Sequence, residues 1–169
     1  MPGGLIMKDS LKELKLEKNK TIPYFSDGEF SMHELLEHLL TQTGNARVSI
    51  SSFSVTEIAV RTFLRLTESG LIKSLHCLFD LNVKRHHLDM LYFTSNVVSS
   101  IGLTKNHSKM ILISNDHWRI VVVSSANFNV NDKKEVGIIS TERNIYNQCL
   151  QKFKIWFHSS IKIDRDDFK

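Results

Sequence analysis

Short apolar runs of strand length alternate along this chain with apolar residues at helical spacing. The strand-like runs cover residues 47–55, 75–81, 109–114, 118–124 and 135–140. The helical spacing predicts helices after Ser31 and Thr56, over about residues 85–97, and over residues 144–158. Strands that alternate with helices in this way are covered by them. The sequence therefore predicts an α/β fold, with a mixed β-sheet flanked by helices on both faces.

The first of these helices has the clearest boundaries. Ser31 and Glu34 match a capping box, in which each side chain accepts a hydrogen bond from the backbone N–H of the other residue. Gly44 ends the helical stripe, which consists of Leu35, Leu36, Leu39 and Leu40. Residues 1–20 are predicted to form an N-terminal arm, either irregular or helical, and residues 21–169 a single domain.

The composition is that of a soluble globular protein, with 41% hydrophobic and 24% charged residues. The formal net charge of +4 is compatible with a polyanionic partner but does not identify one. No stretch reaches the roughly 20 apolar residues that span a bilayer, and residues 1–20 lack an apolar signal segment. Cys77 and Cys149 are isolated, which indicates reduced thiols. We therefore expect a cytoplasmic protein without a membrane span.

Five polar residues stand out around the last three apolar runs: His107, Lys109, Ser125, Asn127 and Glu135. Imidazole can attack phosphorus or act as a general base, while lysine, serine and asparagine can bind non-bridging phosphate oxygens. Because side chains alternate along a strand, His107 and Lys109 are predicted to share one side of a strand. A hairpin at residues 115–117 would return Asn127 to this pair, and Glu135 could hold the imidazole in one tautomer. The pattern indicates a site that attacks phosphodiesters.

Together these residues resemble the signature of the phospholipase D superfamily, H-x-K-x4-D-x6-G-S-x-N followed by an acidic residue before a strand. The corresponding stretch, residues 107–139, reads HSKMILISNDHWRIVVVSSANFNVNDKKEVGII. A weaker similarity covers the run RVSISSFSV and its helix, so the resemblance extends over residues 47–157.

The resemblance implies a covalent mechanism that needs neither a metal nor another cofactor. His107 would attack phosphorus to form a phosphohistidine, and a second histidine would protonate the leaving oxygen and then activate water. Lys109, Asn127 and Ser125 would bind the phosphoryl oxygens. Glu135 matches the acidic residue that orients the histidine of the motif in the family.

The sequence departs from the family pattern between Lys109 and Ser125. Ser114 occupies the place of the motif aspartate, with Asp116 two residues further on, and Ser124 replaces the glycine. The interval from the lysine to the serine is also three residues longer than in the pattern, which a longer hairpin would absorb. These changes bear on activity more than on the fold.

Only one copy of the motif is present, although the chemistry needs two histidines. We therefore expect a homodimer whose two-fold axis brings two copies of His107 together. Single-motif members of the family are typically small nucleases, and longer two-motif members are typically lipases or synthases. The sequence thus favours a metal-independent nuclease that cuts DNA or RNA in a dimeric site.

Basic residues near the motif are predicted to bind the substrate backbone. Lys105 flanks His107, and Lys84 and Arg85 form a short basic cluster with the following two histidines. An ordinary solvated surface is the other interpretation of these side chains.

Three other interpretations of the sequence compete with a nuclease. A lipid phosphodiesterase is disfavoured by the lack of an export signal, and a non-catalytic nucleic-acid-binding protein is kept open by Ser114. A zinc site is disfavoured because its candidate ligands lack zinc-site spacing; they are His76, Cys77, His86, His87 and His107.

Overall fold

The computed structural model describes residues 8–130 and 132–168. Their strands form one mixed sheet in the order β1-β7-β6-β5-β2-β3-β4-β8. The strands are β1 (Thr21–Ser26), β2 (Ala46–Ser52), β3 (Ile72–Asp80), β4 (Ser100–Thr104), β5 (Met110–Ser114), β6 (Arg119–Ser124), β7 (Glu135–Ser140) and β8 (Ile161–Ile163). The α-helices are α1 (Asp9–Lys12), α2 (Met32–Thr43), α3 (Glu57–Glu68), α4 (Asn82–His86), α5 (Leu88–Val97) and α6 (Arg143–Ser159).

The central strands of the sheet create a single edge at which polar loops collect. Strands β2, β3 and β4 are parallel, so their carboxyl ends lie at the same edge. Strands β5 and β7 begin at that edge and β6 ends there, because β5 is antiparallel to β2 and each following neighbour is antiparallel to the last. The loop before β5, the loop after β6 and the start of β7 therefore meet at this edge, the carboxyl edge of β2, β3 and β4.

Helices cover both faces of the sheet, which confirms the predicted fold class. On one face, α2 and α3 bury residues such as Leu36 and Phe63 in the same core as Val48 and Ile50 of β2. On the other face, α6 buries Tyr146 and Phe153, which pack with Leu78, Leu112 and Val121. The alternation of side chains along the strands produces these two separate cores.

The predicted capping box is present at the start of α2. The backbone N–H of Ser31 donates to Glu34 at 2.7 Å, and that of Glu34 donates to the Ser31 hydroxyl at 3.4 Å. Thr56 does precede α3, but its hydroxyl forms no cap and instead donates to the carbonyl of Phe128 at 3.4 Å. This bond ties the loop after β2 to the loop after β6.

The structure differs from the sequence prediction in three strands and one helix. Strands β1, β4 and β8 were not predicted. The helix predicted over residues 85–97 is two helices, because the backbone of His87, with φ −140° and ψ 50°, is not helical and separates α4 from α5. Among the described residues, no helix has both the length and the apolar character needed to cross a membrane.

The described part of the predicted N-terminal arm packs against α2. Leu11 of α1 is buried in the core, and the carbonyl of Leu14 lies 2.7 Å from Nε2 of His38. Gln42 accepts a hydrogen bond from the backbone N–H of Leu16 at 2.8 Å. Residues 1–7 of the arm lie outside the described residues.

Candidate active site

His107 and Lys109 lie at this carboxyl edge, the candidate catalytic edge, in the loop of residues 105–109 that precedes β5, the candidate catalytic loop. The prediction that they are part of the strand is wrong, since β5 begins at Met110. Their side chains nevertheless lie together, with Nζ of Lys109 3.3 Å from Nδ1 of His107. The same ammonium donates to the carbonyl oxygen of His107 at 2.8 Å. The lysine and the imidazole therefore form one unit at the surface of the sheet edge.

Asn106 fixes the position of this loop on the carboxyl ends of the parallel strands. It is buried, and its Nδ2 lies within 3.0–3.3 Å of the hydroxyl of Ser51 and the carbonyls of Ser52 and Leu78. Its Oδ1 accepts from the backbone N–H of Ser108 at 3.0 Å. One amide side chain thus connects the loop that carries His107 to both β2 and β3.

A buried carboxylate supports the same loop from the end of β3. Asp80 accepts hydrogen bonds from the backbone N–H groups of Asn106 at 2.8 Å and Asn82 at 2.9 Å. Both donors are main-chain groups that would otherwise lack a partner at the end of a strand. Asp80 therefore joins the start of the catalytic loop to the start of α4.

Burial lowers the pKa of Lys109, and the negative charge of Glu135 partly opposes that effect. The lowered pKa reflects the cost of removing an ammonium group from water. An anionic ligand placed against Lys109 would offset this cost. The electrostatics of the site therefore favour a bound anion.

The contact with Lys109 sets the tautomer of the neutral His107 ring. An ammonium group only donates, so Nδ1 must accept and the ring proton lies on Nε2. Attack on phosphorus through Nε2 requires the opposite tautomer, with the proton on Nδ1 and an acceptor beside it. The ring itself packs against Phe53, with the centroids 5.2 Å apart. Nucleophilic attack therefore requires Lys109 to leave Nδ1 and move toward the substrate.

Ser125 and Glu135 form a pair at the junction of β6 and β7. The hydroxyl of Ser125 donates to the carboxylate of Glu135 and accepts from the backbone N–H of Val136 at 3.1 Å. Among the described residues, the Glu135 carboxylate makes no hydrogen bond to His107. The acidic group predicted to orient the imidazole thus acts on Lys109 through its charge and is hydrogen-bonded to Ser125.

Asn127 presents a donor to the same edge of the sheet. Its Oδ1 accepts from the backbone N–H of Phe53 at 3.1 Å and from the hydroxyl of Ser52 at 3.3 Å. The backbone donor fixes the orientation of the amide, because only the oxygen can accept. Within the described residues Nδ2 has no hydrogen-bond partner, which leaves it available to a ligand oxygen.

The remaining residues of the sequence prediction lie at both edges of the sheet. Lys105 is exposed in the catalytic loop, and Lys84 and Arg85 are exposed on α4, which follows β3 at the same edge. Ser114 ends β5 and Asp116 lies in the following turn. Neither candidate for the motif aspartate therefore lies beside His107, because the length of β5 separates them.

Sequence reasoning missed the groups that hold the catalytic loop in place, namely Ser51, Asp80 and Asn106. The sequence does contain a signal for them. Ser51 and Asp80 lie at the carboxyl ends of buried strands, and Asn106 immediately precedes His107. Polar side chains at the ends of buried strands must find partners, and here they find one another.

No protein-family model and no curated protein matches the sequence. Solved structures do match the fold. The phospholipase D family member Nuc from Salmonella typhimurium aligns with 86% of this chain and 98% of its own, with a TM-score of 0.61 and 14% identity. NucT from Helicobacter pylori aligns with 85% of this chain and 100% of its own, with a TM-score of 0.64 and 14% identity. The chain has the fold of the phospholipase D family.

The phospholipase D fold also matches part of a larger protein. Phosphatidylserine synthase from Haemophilus influenzae Rd KW20 aligns with 85% of this chain but only 40% of its own, with a TM-score of 0.58 and 14% identity. The match therefore spans nearly all of Nuc and NucT but less than half of the synthase. At this level of identity, the shared property is the fold.

Proposed function

We propose that this protein is a phosphodiesterase that hydrolyses nucleic acid, a nuclease that works without a metal ion. The observation that carries the proposal is the grouping of His107, Lys109 and Nδ2 of Asn127, which has no partner among the described residues, at one edge of a phospholipase D fold. The match over nearly the full length of Nuc and NucT supports a small nuclease of this fold over the longer synthases.

The proposed reaction proceeds in two displacement steps. Nε2 of His107 attacks phosphorus, a P–N bond forms, the P–O bond to the leaving group breaks, and a second histidine gives that oxygen its proton. Water then attacks phosphorus, its proton passes to the second histidine, and the P–N bond breaks to release the product. Lys109 and Nδ2 of Asn127 bind the phosphoryl oxygens as negative charge increases on them.

The second histidine is proposed to be His107 of a second copy of this chain. An exposed apolar surface reaches the catalytic edge and offers an interface for that copy. It lies on the face of β1, β7 and β6 that α6 leaves uncovered, where Phe25 is 69% and Val136 49% exposed. These two residues are directly paired across the strands, and Ile138 pairs with both Pro23 and Val123. A contiguous apolar patch of this kind is typical of an interaction surface.

Two features place this apolar surface next to the catalytic residues. Val136 follows Glu135 directly, and Val123 pairs with Met110, which follows Lys109. Covering the surface with a second copy by a two-fold operation would therefore bring both catalytic edges to one interface. The nucleic-acid backbone would then cross the exposed basic residues of the same edge, Lys105, Lys84 and Arg85.

The test is cleavage of plasmid DNA, single-stranded DNA and RNA in EDTA. We expect the wild-type protein to cut at least one of these substrates and His107→Ala to lose the activity by several orders of magnitude. His117→Ala is the matched control, because His117 is an exposed histidine in the turn before β6. It should keep the wild-type rate.

Two other outcomes would replace the proposal. Tight binding of nucleic acid with no cleavage under any condition would identify a non-catalytic binding protein. Release of head groups from phospholipid vesicles, with nucleic acid left intact, would identify a lipid phosphodiesterase.

A further inference from the structure

A small cationic pocket lies at the edge of the sheet opposite His107. Its volume is about 160 Å³, and its lining includes Arg47, Lys73, Ser114, Asp116 and Arg119. Three cations and one carboxylate leave a formal net charge of +2 among these side chains. None of these residues contributes to the grouping of His107, Lys109 and Asn127, so the pocket is a separate feature of the molecule.

The sheet register places two of the cations on either side of Ser114. Arg47 of β2 pairs with Ser114 of β5, and Ser114 pairs with Arg119 of β6. Directly paired residues point to the same face of a sheet, so all three form one row. The two arginines are two strand spacings apart, roughly 9–10 Å between their Cα atoms.

None of the three cations of this pocket forms an ion pair with another described residue. Among the described residues, Arg47 and Lys73 form no hydrogen bond or ion pair, and Asp116 forms no ion pair with any of the three cations. Arg119 donates from one terminal nitrogen to the carbonyls of Asn115 and Trp118, which orients its guanidinium and leaves its other donors free. Like charges held this close favour the binding of an anion between them.

The backbone beside the pocket is held in a fixed shape by Asn115. Its Oδ1 accepts from the backbone N–H groups of His117 at 2.9 Å and Trp118 at 2.8 Å, and its Nδ2 donates to the carbonyl of Thr43 at 2.9 Å. These bonds connect the turn after β5 to the end of α2. The pocket is therefore preorganised and does not depend on a mobile loop.

Ser114 explains why the row is positively charged. The resembled signature has aspartate at this position, and a carboxylate there would lie between Arg47 and Arg119 and offset one of their two charges. Serine removes the charge and supplies a hydroxyl donor. We propose that this pocket binds a phosphate group, held by Arg47, Arg119, Lys73 and the hydroxyl of Ser114.

The volume of the pocket limits what it can hold. About 160 Å³ is below the roughly 300–1,000 Å³ of pockets that enclose drug-sized ligands. A phosphate group fits this space, whereas a complete nucleotide does not. The ligand is thus free phosphate or the terminal phosphate of a larger molecule whose remainder stays in solvent.

The experiment is isothermal titration of the full chain with inorganic phosphate at low ionic strength. We expect a site, separate from any phosphate bound at Lys109, that weakens at least tenfold in Arg47→Ala and disappears in Ser114→Asp, while Ser114→Ala stays within about threefold of wild type. Ser114→Asp should fold at least as stably as wild type, because its carboxylate relieves the repulsion in the row. Loss of binding in this variant therefore cannot be attributed to unfolding.

A second variant separates this pocket from the catalytic edge. Lys109→Ala should keep the site, since Lys109 lies at the other end of β5. Absence of phosphate binding in the wild type would overturn the proposal, and so would binding that is lost in Lys109→Ala but kept in Ser114→Asp. An oligonucleotide with a 5′-phosphate and the same oligonucleotide with a 5′-hydroxyl distinguish the two sources of the phosphate group. Tighter binding of the 5′-phosphorylated form that is lost in Ser114→Asp indicates the end of a nucleic acid. Equal affinity for the two oligonucleotides indicates free phosphate.

Discussion

Oδ1 of Asn106 accepts two hydrogen bonds from Ser108, at 3.0 Å from its backbone nitrogen and 2.6 Å from its hydroxyl. These two bonds therefore fix the backbone on either side of His107. Because Nδ2 of the same asparagine also contacts the carbonyls of Ser52 and Leu78, this segment is held to β2 and β3. The candidate nucleophile lies on an exposed loop whose geometry is set from the core.

Asn106→Ala should therefore affect both stability and activity. The change removes one acceptor and two donors from a buried position and leaves the main-chain partners unsatisfied. We expect a loss of about 2–4 kcal/mol in the free energy of unfolding, measured by urea denaturation, with cleavage also lost. Asn96→Ala is the matched control, because Nδ2 of the exposed Asn96 also donates to a backbone carbonyl, that of Tyr92. A loss no larger than that of this control would contradict the role of Asn106.

The tautomer of His107 provides a direct test of the site geometry. Because Lys109 donates to Nδ1, we expect long-range ¹H–¹⁵N spectra of the neutral His107 ring to show the proton on Nε2. Lys109→Met removes the donor and should shift the His107 nitrogens toward a mixture of tautomers. His117 gives an internal reference that should not change. A proton found on Nδ1 in the free wild-type protein would contradict the resting arrangement described here.

The sequence predicted the centre of the fold better than its margins. Strands β5 and β6 are apolar runs separated by a turn, and their burial on both faces explains why the runs are continuous. Strand β1 carries Pro23 and lies at the edge of the sheet, and β8 is only three residues long. Neither strand therefore has enough buried positions to show an alternation of apolar and polar residues. Strand β4 contains Gly102, where an added Cβ would lie 2.2 Å from the Ser160 hydroxyl, so close packing against another segment weakens its strand pattern.

The site shows the same division between local and long-range information. The spacing of His107 and Lys109 predicted their proximity, although both lie in the loop before β5, which begins at Met110. The support from Ser51 and Asp80 depends on the order of β2, β3 and β5 in the sheet, and Asn106 is 55 residues away from Ser51 in sequence. No pattern among neighbouring residues of the sequence indicates a contact over this separation. Only the topology brings these ends together.

The proposed dimer predicts that a charge on the apolar sheet surface separates the subunits. Phe25→Asp should yield a monomer in sedimentation velocity and lower the cleavage rate at least a hundredfold, with an unchanged circular dichroism spectrum. The side chain is 69% exposed, so the substitution does not disturb the core. Ile58→Asp is the control: this residue is 56% exposed on α3, away from that surface, and its variant should remain dimeric and active. A wild-type protein that is monomeric and fully active at nanomolar concentration would exclude a shared site.

Tyr24 makes stability depend on pH in the alkaline range. Burial raises its pKa from 10.0 to about 12, against the opposing effect of its hydrogen bond with Ser124. A raised pKa stabilises the fold below pH 10, and this stabilisation is lost as the pH rises toward 12, because the unfolded chain releases the proton first. Relative to Tyr24→Phe, the wild type should lose about 1–1.5 kcal/mol of unfolding free energy between pH 9 and pH 11.

Urea denaturation at several pH values measures this loss for the wild type and for Tyr24→Phe. The ring of Tyr24 lies against Gly137 of β7, where an added Cβ would be 2.4 Å from a ring carbon, so the phenylalanine ring can occupy the same place. Tyr92→Phe is the control at a half-exposed tyrosine on α5 and should retain the alkaline loss seen in the wild type. If the unfolding free energies of wild type and Tyr24→Phe change in parallel with pH up to pH 11, the phenol of Tyr24 is not buried as described. The packing of β1 against β7 beside Ser124 must then differ from that described here.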